Sequence, residues 1–235
     1  MMNYSYLLLV LVTMALGFAA QAYIKYAYKK FSSVSNGTRL TGAQIARRML
    51  DDNDLHNIRL ERVSGTLTDH YDPRSGVIRL SEGVYSSSSV SAMAVACHEC
   101  GHAVQHARNY VPMNIRTKLV PAVNFGSNAW IALLLIGVVL QSMRLVWLAI
   151  ILYALAVLFH IVTLPVEFNA SRRGLAYIRA ENTDMVYTTM LLATPGSEIA
   201  KGAQTVLTAA ALTYVVSALT SIMELLYFIF AFTRD

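Results

Sequence analysis

Cys97-His98-Glu99-Cys100-Gly101-His102 carries the most chemistry per residue in this chain. Two histidines four apart, with a glutamate after the first, form the H-E-x-x-H pattern. On a helix, residues four apart share a face, so His98 and His102 can present two imidazoles to one ion. Glu99 projects to the neighbouring side. There it can take a proton from water that a zinc ion acidifies, while the ion polarises a peptide carbonyl. The expected cofactor is one Zn2+ per chain, with Glu99 as the catalytic base. The competing structural reading is a pair of core histidines beside a surface glutamate. It is strained, because buried ionisable groups need partners.

Two imidazoles are an incomplete set, since catalytic zinc usually has three protein ligands and a water. The metzincin continuation would need glycine and histidine where this chain has Gln105 and Arg108. His106 lies two turns from His98, a poor ligand geometry. A distant ligand is expected, and Glu167 in Leu164-Pro165-Val166-Glu167-Phe168-Asn169-Ala170-Ser171 is the best candidate. A helix-end charge at a membrane interface remains the alternative for it. Cys97 and Cys100 read as small packing residues. A redox or zinc-ribbon pair would sit at a turn or helix start, where a thiolate is stabilised.

A helix with its polar ends set by flanking elements must hold these residues. Val90 to Arg108 is predicted helical, after a polar loop at Ser86–Ser89. Thr41-Gly42-Ala43-Gln44 resembles a capping box that starts a helix ending near Asp52. Ile58–Glu61, Thr66–Tyr71 and Gly76–Leu80 read as strands, the last two flanking the turn Asp72-Pro73-Arg74-Ser75-Gly76.

Composition places this small domain beside lipid. Apolar residues make up 55% and charged residues 14%, against about 25% charged in soluble domains. Four apolar segments stand out, near Tyr4–Tyr23, Ala129–Leu140 (starting closer to Phe125), Leu145–Leu164 and Val206–Phe232. About 20 helical residues span a bilayer core. The basic residues follow a topology: 13 of 19 lie between Lys25 and Asn128, and four more between Val166 and Thr205. Positive charge stays cytoplasmic, so both regions are expected inside and the Arg144 turn outside. The net charge of +5 is thereby explained without a nucleic-acid partner. The first segment reads as a retained anchor, since Met1–Tyr4 has no basic side chain and Lys25, Lys29 and Lys30 follow it. Glu224, inside the fourth segment, is expected to meet a polar group of another helix.

The expected fold is a mainly α membrane protein with about four transmembrane helices and a small α+β zincin-like cytoplasmic catalytic domain. Its expected parts are an anchor (1–24), a catalytic region (25–124), a transmembrane hairpin (125–165), a cytoplasmic segment with the third ligand (166–205) and a last transmembrane helix (206–235).

The stretches LTGAQIARRML, LTDHYDPRSGVIRLSEGVY, AVACHECGHAVQ, LVPAVNFGSN, LPVEFNASRR and AAALTYVVSAL resemble the neutral zinc metallopeptidases of bacterial membranes, the YugP-like group. They cover most of the chain from residue 40 to about 219. The resemblance implies a multi-pass protein of the bacterial inner membrane with zinc-dependent peptidase activity. It extends distantly to HtpX-type proteases, whose E-x-x-A-D glutamate completes the zinc site. Glu167 matches that glutamate and Ala170 the alanine. Ser171 stands at the aspartate that would orient a zinc-bound histidine. Asn169 departs from the E-F-D-A-S of the nearer group but keeps an acceptor. His70 and Tyr71 are candidates to stabilise an oxyanion, against a solvated turn and a packed aromatic. Arg172 and Arg173 could reach carboxylates or lipid phosphates.

The implied reaction is endopeptide hydrolysis of the gluzincin type, on membrane or membrane-proximal proteins, with association into oligomers left open. The rival reading is a catalytically silent zinc-binding scaffold or adaptor. An intact Glu99 argues against it. A transporter fits poorly with so few intramembrane charges.

Overall fold

The computed structural model describes residues 4–188 and 196–233, with side chains for 4–180 and 198–233. Arg234 and residues 189–195 of the expected 166–205 segment lie outside the described residues. The order is α1 (Tyr4–Ser32), α2 (Gly42–Asp51), β1 (Arg59–Val63), β2 (His70–Asp72), β3 (Val77–Ser81), α3 (Glu82–Tyr85), α4 (Val90–Ala107), α5 (Val111–Val139), α6 (Met143–Thr188) and α7 (Gly196–Thr233). The protein is mainly helical. α1, α5, α6 and α7 contain stretches long and apolar enough to cross a membrane.

Local chemistry explains the starts. The Thr41 side chain accepts from the Gln44 N–H, and the Gln44 amide oxygen accepts from the Thr41 N–H, so the expected capping box opens α2. Ser89, the last of the serine run, caps α4 by accepting from the Ala92 N–H at 3.2 Å. The three strands form one sheet in the order β1-β3-β2, β1 parallel and β2 antiparallel to β3. The central β3 is the apolar one, with Val77, Ile78 and Leu80 fully buried.

Several boundaries differ from the expectations, α1 running on to Ser32 and α7 starting at Gly196 among them. β2 starts at His70, because Gly65 (φ 107°) and Leu67 (φ 58°) hold the preceding chain in left-handed turns. α5 starts at Val111, so Arg116 and Lys118 lie within a helix that the apolar pattern begins near Phe125. α6 continues through Pro165. Proline removes one N–H, at the cost of the hydrogen bond to the carbonyl four residues back, yet leaves the rest of the ladder intact. Glu167 therefore sits in mid-helix. Apolarity measures fitness for lipid, whereas helicity continues wherever backbone bonding and packing allow.

The chain divides into two compact units. One comprises residues up to Ala20, Val111–Pro165 and Thr213 onward. Its core is an aromatic group in which the Trp130 and Tyr153 rings lie 4.5 Å apart between centroids with their planes tilted by 38°, and Phe228 is edge-on to Tyr153. Glu224 accepts from the Tyr153 hydroxyl at 2.6 Å, the inter-helix partner expected for it. α5 and α6 meet through a turn with Gln141 at φ 52°, where a Cβ on Gly137 would come within 2.9 Å of the Val146 nitrogen.

The other unit comprises Gln21–Tyr110 and Val166–Leu212. Its core brings α2, α3, α4 and the sheet around Leu50, Ile78, Leu80, Val84, Ala96 and Ile178. α4 and α6 pack almost backbone to backbone. A Cβ on Gly101 would lie 2.6 Å from the Ala170 carbonyl oxygen, and one on Gly174 would lie 3.0 Å from the Cys97 carbonyl. Cys97-x-x-x-Gly101 thus faces Ala170-x-x-x-Gly174, a small-residue seam of the kind that lets helices approach closely. Both cysteines are fully buried thiols, as small packing residues would be.

Candidate metal centre

The seam decides which polar groups can meet. α4 carries His98 and His102 on one face, and the close approach of α6 brings Glu167 against them. The His98 Nε2 lies 3.2 Å from the Glu167 Oε2, and the His102 Nε2 lies 3.5 Å from the same oxygen. All three donor atoms lie within 4.8 Å of one another. The side chains are 12%, 9% and 2% exposed, so water offers them little competition. The two imidazole planes are nearly perpendicular, at 84°.

This donor set fits zinc. Bonds of about 2.1 Å at a tetrahedral angle of about 110° put ligand atoms about 3.4 Å apart. The two separations to Glu167 bracket that value. Two imidazole nitrogens and a carboxylate oxygen are also the hard-to-borderline mixture that zinc takes at catalytic sites.

Each histidine is held from behind. The His98 Nδ1 lies 3.1 Å from the Ser171 hydroxyl, at the position where an orienting group was expected. The His102 Nδ1 lies 3.0 Å from the Gln105 Oε1. The Gln105 amide nitrogen donates to the Val166 carbonyl at 2.7 Å and to the Asn169 Oδ1 at 3.0 Å. Asn169 also accepts from the Arg173 Nε at 2.8 Å, so Arg173 is bound to the amide network.

Glu99 is 7% exposed. Burial pushes its carboxyl up to about 7. The charges of Glu167 and Asp69 act in the same direction, while His98 and the Tyr71 main chain act against it. The Asp69 carboxyl is raised by burial and opposed chiefly by the Ser81 main-chain N–H, which it accepts at 2.7 Å. That bond ties the start of β2 to the end of β3.

The other two candidates engage different groups. The His70 ring bonds the Thr68 carbonyl through Nδ1 at 2.8 Å and faces Arg79 through Nε2. The Tyr71 hydroxyl bonds the His106 Nδ1 at 2.8 Å. Tyr71 approaches the centre through its main chain at Glu99, and its ring packs partly against the core. Gln105 is the residue that sequence reading passed over: it appears there only as a mismatch to another pattern. Its spacing, three residues after His102, was the available signal.

Comparisons with known proteins match the sequence to a family. Residues 6–233 match the family described as "Putative neutral zinc metallopeptidase". The chain is 44% identical over 227 residues to "Putative membrane protease YugP" of Bacillus subtilis (strain 168), covering 97% of this chain and 96% of that one. No solved structure matches it.

Proposed function

The chain belongs to the neutral zinc metallopeptidase family, and from that premise we propose that it is a membrane-embedded zinc endopeptidase of the gluzincin type. In general terms it is a membrane zinc protease. The finer reading assigns His98, His102 and Glu167 as the ligands of one Zn2+ and Glu99 as general base. The observation that carries it is the convergence of the three donor atoms from α4 and α6. When bound, zinc supplies Lewis acidity, which acidifies water and polarises a carbonyl.

The chain's own residues do the remaining work. Glu99 takes the proton of the attacking water and delivers it to the leaving amine nitrogen. Ser171 holds the His98 ring in place. β2 is an edge strand of the sheet, and the Tyr71 main chain on it reaches Glu99, which favours an extended peptide aligned by main-chain pairing. Membrane or membrane-proximal proteins are the substrates. The distribution of basic residues favours an active site on the cytoplasmic side of the bacterial inner membrane. Residues 25–124 and 166–205 then form the catalytic region, and 1–24, 125–165 and 206–235 the membrane parts.

Glu99→Gln tests the mechanism. The variant is expected to keep its zinc, measured by metal analysis, and to lose peptide hydrolysis by about 10²–10⁴-fold, the usual worth of a general acid–base group. Zinc-loaded protein with undiminished hydrolysis would remove Glu99 from the mechanism. A wild type with full zinc and no cleavage of unfolded membrane proteins would leave a scaffold instead.

A further inference from the structure

We propose that Gln105 is a positioning residue of the metal centre: its amide sets which nitrogen of His102 bears the proton, and it ties that ring to the helix carrying Glu167. The inference rests on the ligand reading above.

Donor and acceptor identities carry it. Arg173 has only donors, so the Asn169 atom it meets at 2.8 Å must be the amide oxygen. That same oxygen lies 3.0 Å from one end of the Gln105 amide, and the Val166 carbonyl, another pure acceptor, lies 2.7 Å from it. The end of Gln105 that faces both must be its NH2, which has two hydrogens to give. Its oxygen then faces the His102 Nδ1 at 3.0 Å. An amide oxygen only accepts, so Nδ1 holds the proton. In the neutral ring, Nε2 is left with its lone pair, aimed at the Glu167 carboxylate 3.5 Å away. Two acceptors facing each other do not attract, and a cation between them satisfies both.

Ser171 cannot impose the same order on His98, because a hydroxyl can give or take a hydrogen bond. The control is therefore asymmetric. Gln105 is fully buried, so water cannot replace its oxygen or its NH2. Its bond to the carbonyl of Val166, next to Glu167, also makes it a strut between the helices that supply the ligands. Partners of this kind are worth about 10–100-fold in metal affinity.

The test uses the full-length protein in detergent. Stripped of metal, labelled with 15N-histidine and held at a pH where imidazoles are neutral, wild type is expected to show His102 protonated on Nδ1. His102→Gln identifies that resonance by its loss. A proton on Nε2 overturns the proposal without any Gln105 variant. Gln105→Met, of similar volume, is expected to weaken zinc affinity by about 10–100-fold in chelator competition and to shift His102 toward the Nε2–H form. Affinity within about twofold of wild type overturns the proposal. So does weaker affinity with the tautomer unchanged, since that marks a packing role only. His98→Ala is measured alongside: if it retains zinc, the ligand reading itself fails, and the His102 tautomer still reports on Gln105.

Discussion

Glu167 lies 65 positions after His102 in the chain and within hydrogen-bonding range of both site histidines in space. Its proposed role as third ligand predicts that Glu167→Ala lowers zinc affinity by more than the about 10–100-fold expected when an orienting partner is lost. Equilibrium competition with a chromophoric chelator measures this, and unchanged affinity would strike Glu167 from the site. Ser171→Ala removes the hydroxyl behind His98, and a loss near the lower end of that range is expected. At this scale the sequence was most informative. H-E-x-x-H on a helical pattern names three residues outright, because periodicity and spacing are properties of a single segment. Glu167 was the best candidate from its place after the third apolar segment, and the resemblance to a family strengthened it, since nothing local distinguishes a ligand from an interfacial carboxylate. Gln105 was passed over because its meaning depends on Val166, Asn169 and Arg173, and no spacing rule connects two helices so far apart in the chain.

Among the elements, the α4–α6 seam and the β2–β3 turn invite separate tests. Gly101→Ala places a methyl 2.6 Å from the Ala170 carbonyl, so a backbone must move. A loss of about 1–3 kcal/mol in stability is expected from such overpacking. Zinc affinity should fall with it, because the displaced helix carries Glu167. Thermal midpoint and metal competition on one preparation check both, and a tighter or unchanged zinc site would separate the seam from the metal centre. In the turn, hydrogen bonds from the Ser75 hydroxyl and the Arg74 main-chain N–H hold the Asp72 carboxyl down, from the ordinary 3.8 to about 2. A depressed value means that the stabilisation is complete above about pH 4 and is lost as pH falls through about 2. Asp72→Asn should therefore lower the thermal midpoint at neutral pH, and its difference from wild type should close near pH 2. The capping box of α2 and the hairpin turn were legible because each is written in four or five adjacent residues. The true starts of α5 and β2 were not. Hydropathy marks where a helix can sit in lipid rather than where it begins, and before β2 only Gly65 marks a left-handed turn, while Leu67 carries no sequence mark for its positive φ.

For the molecule as a whole, the distribution of charge is the broadest statement the sequence makes. The proposed orientation predicts that a membrane-impermeant maleimide labels Arg144→Cys in intact cells, and labels Asn57→Cys only after permeabilisation. Cys97 and Cys100 are fully buried, so background labelling should be low. The reverse pattern would move the active site to the outer face. Four apolar helices and a small sheet-bearing unit were both readable from composition and periodicity. The two compact units are discontinuous in the chain, and α1, α6 and α7 each contribute residues to both. No linker or change of periodicity marks the points within those helices where one unit gives way to the other.

The split of the proposed ligand set between α4 and α6 also has a temporal meaning. A ribosome adding about 5–20 residues per second needs roughly 3–13 s to pass from His102 to Glu167. Throughout that interval the nascent chain holds the proposed catalytic glutamate and two of the proposed ligands but lacks the carboxylate that would close the set. Hydrolytic competence would then arrive only after α5 and the apolar half of α6 have been synthesised. Biosynthesis itself would delay the enzyme's onset, sparing nearby unfinished chains, its own included, from premature cleavage.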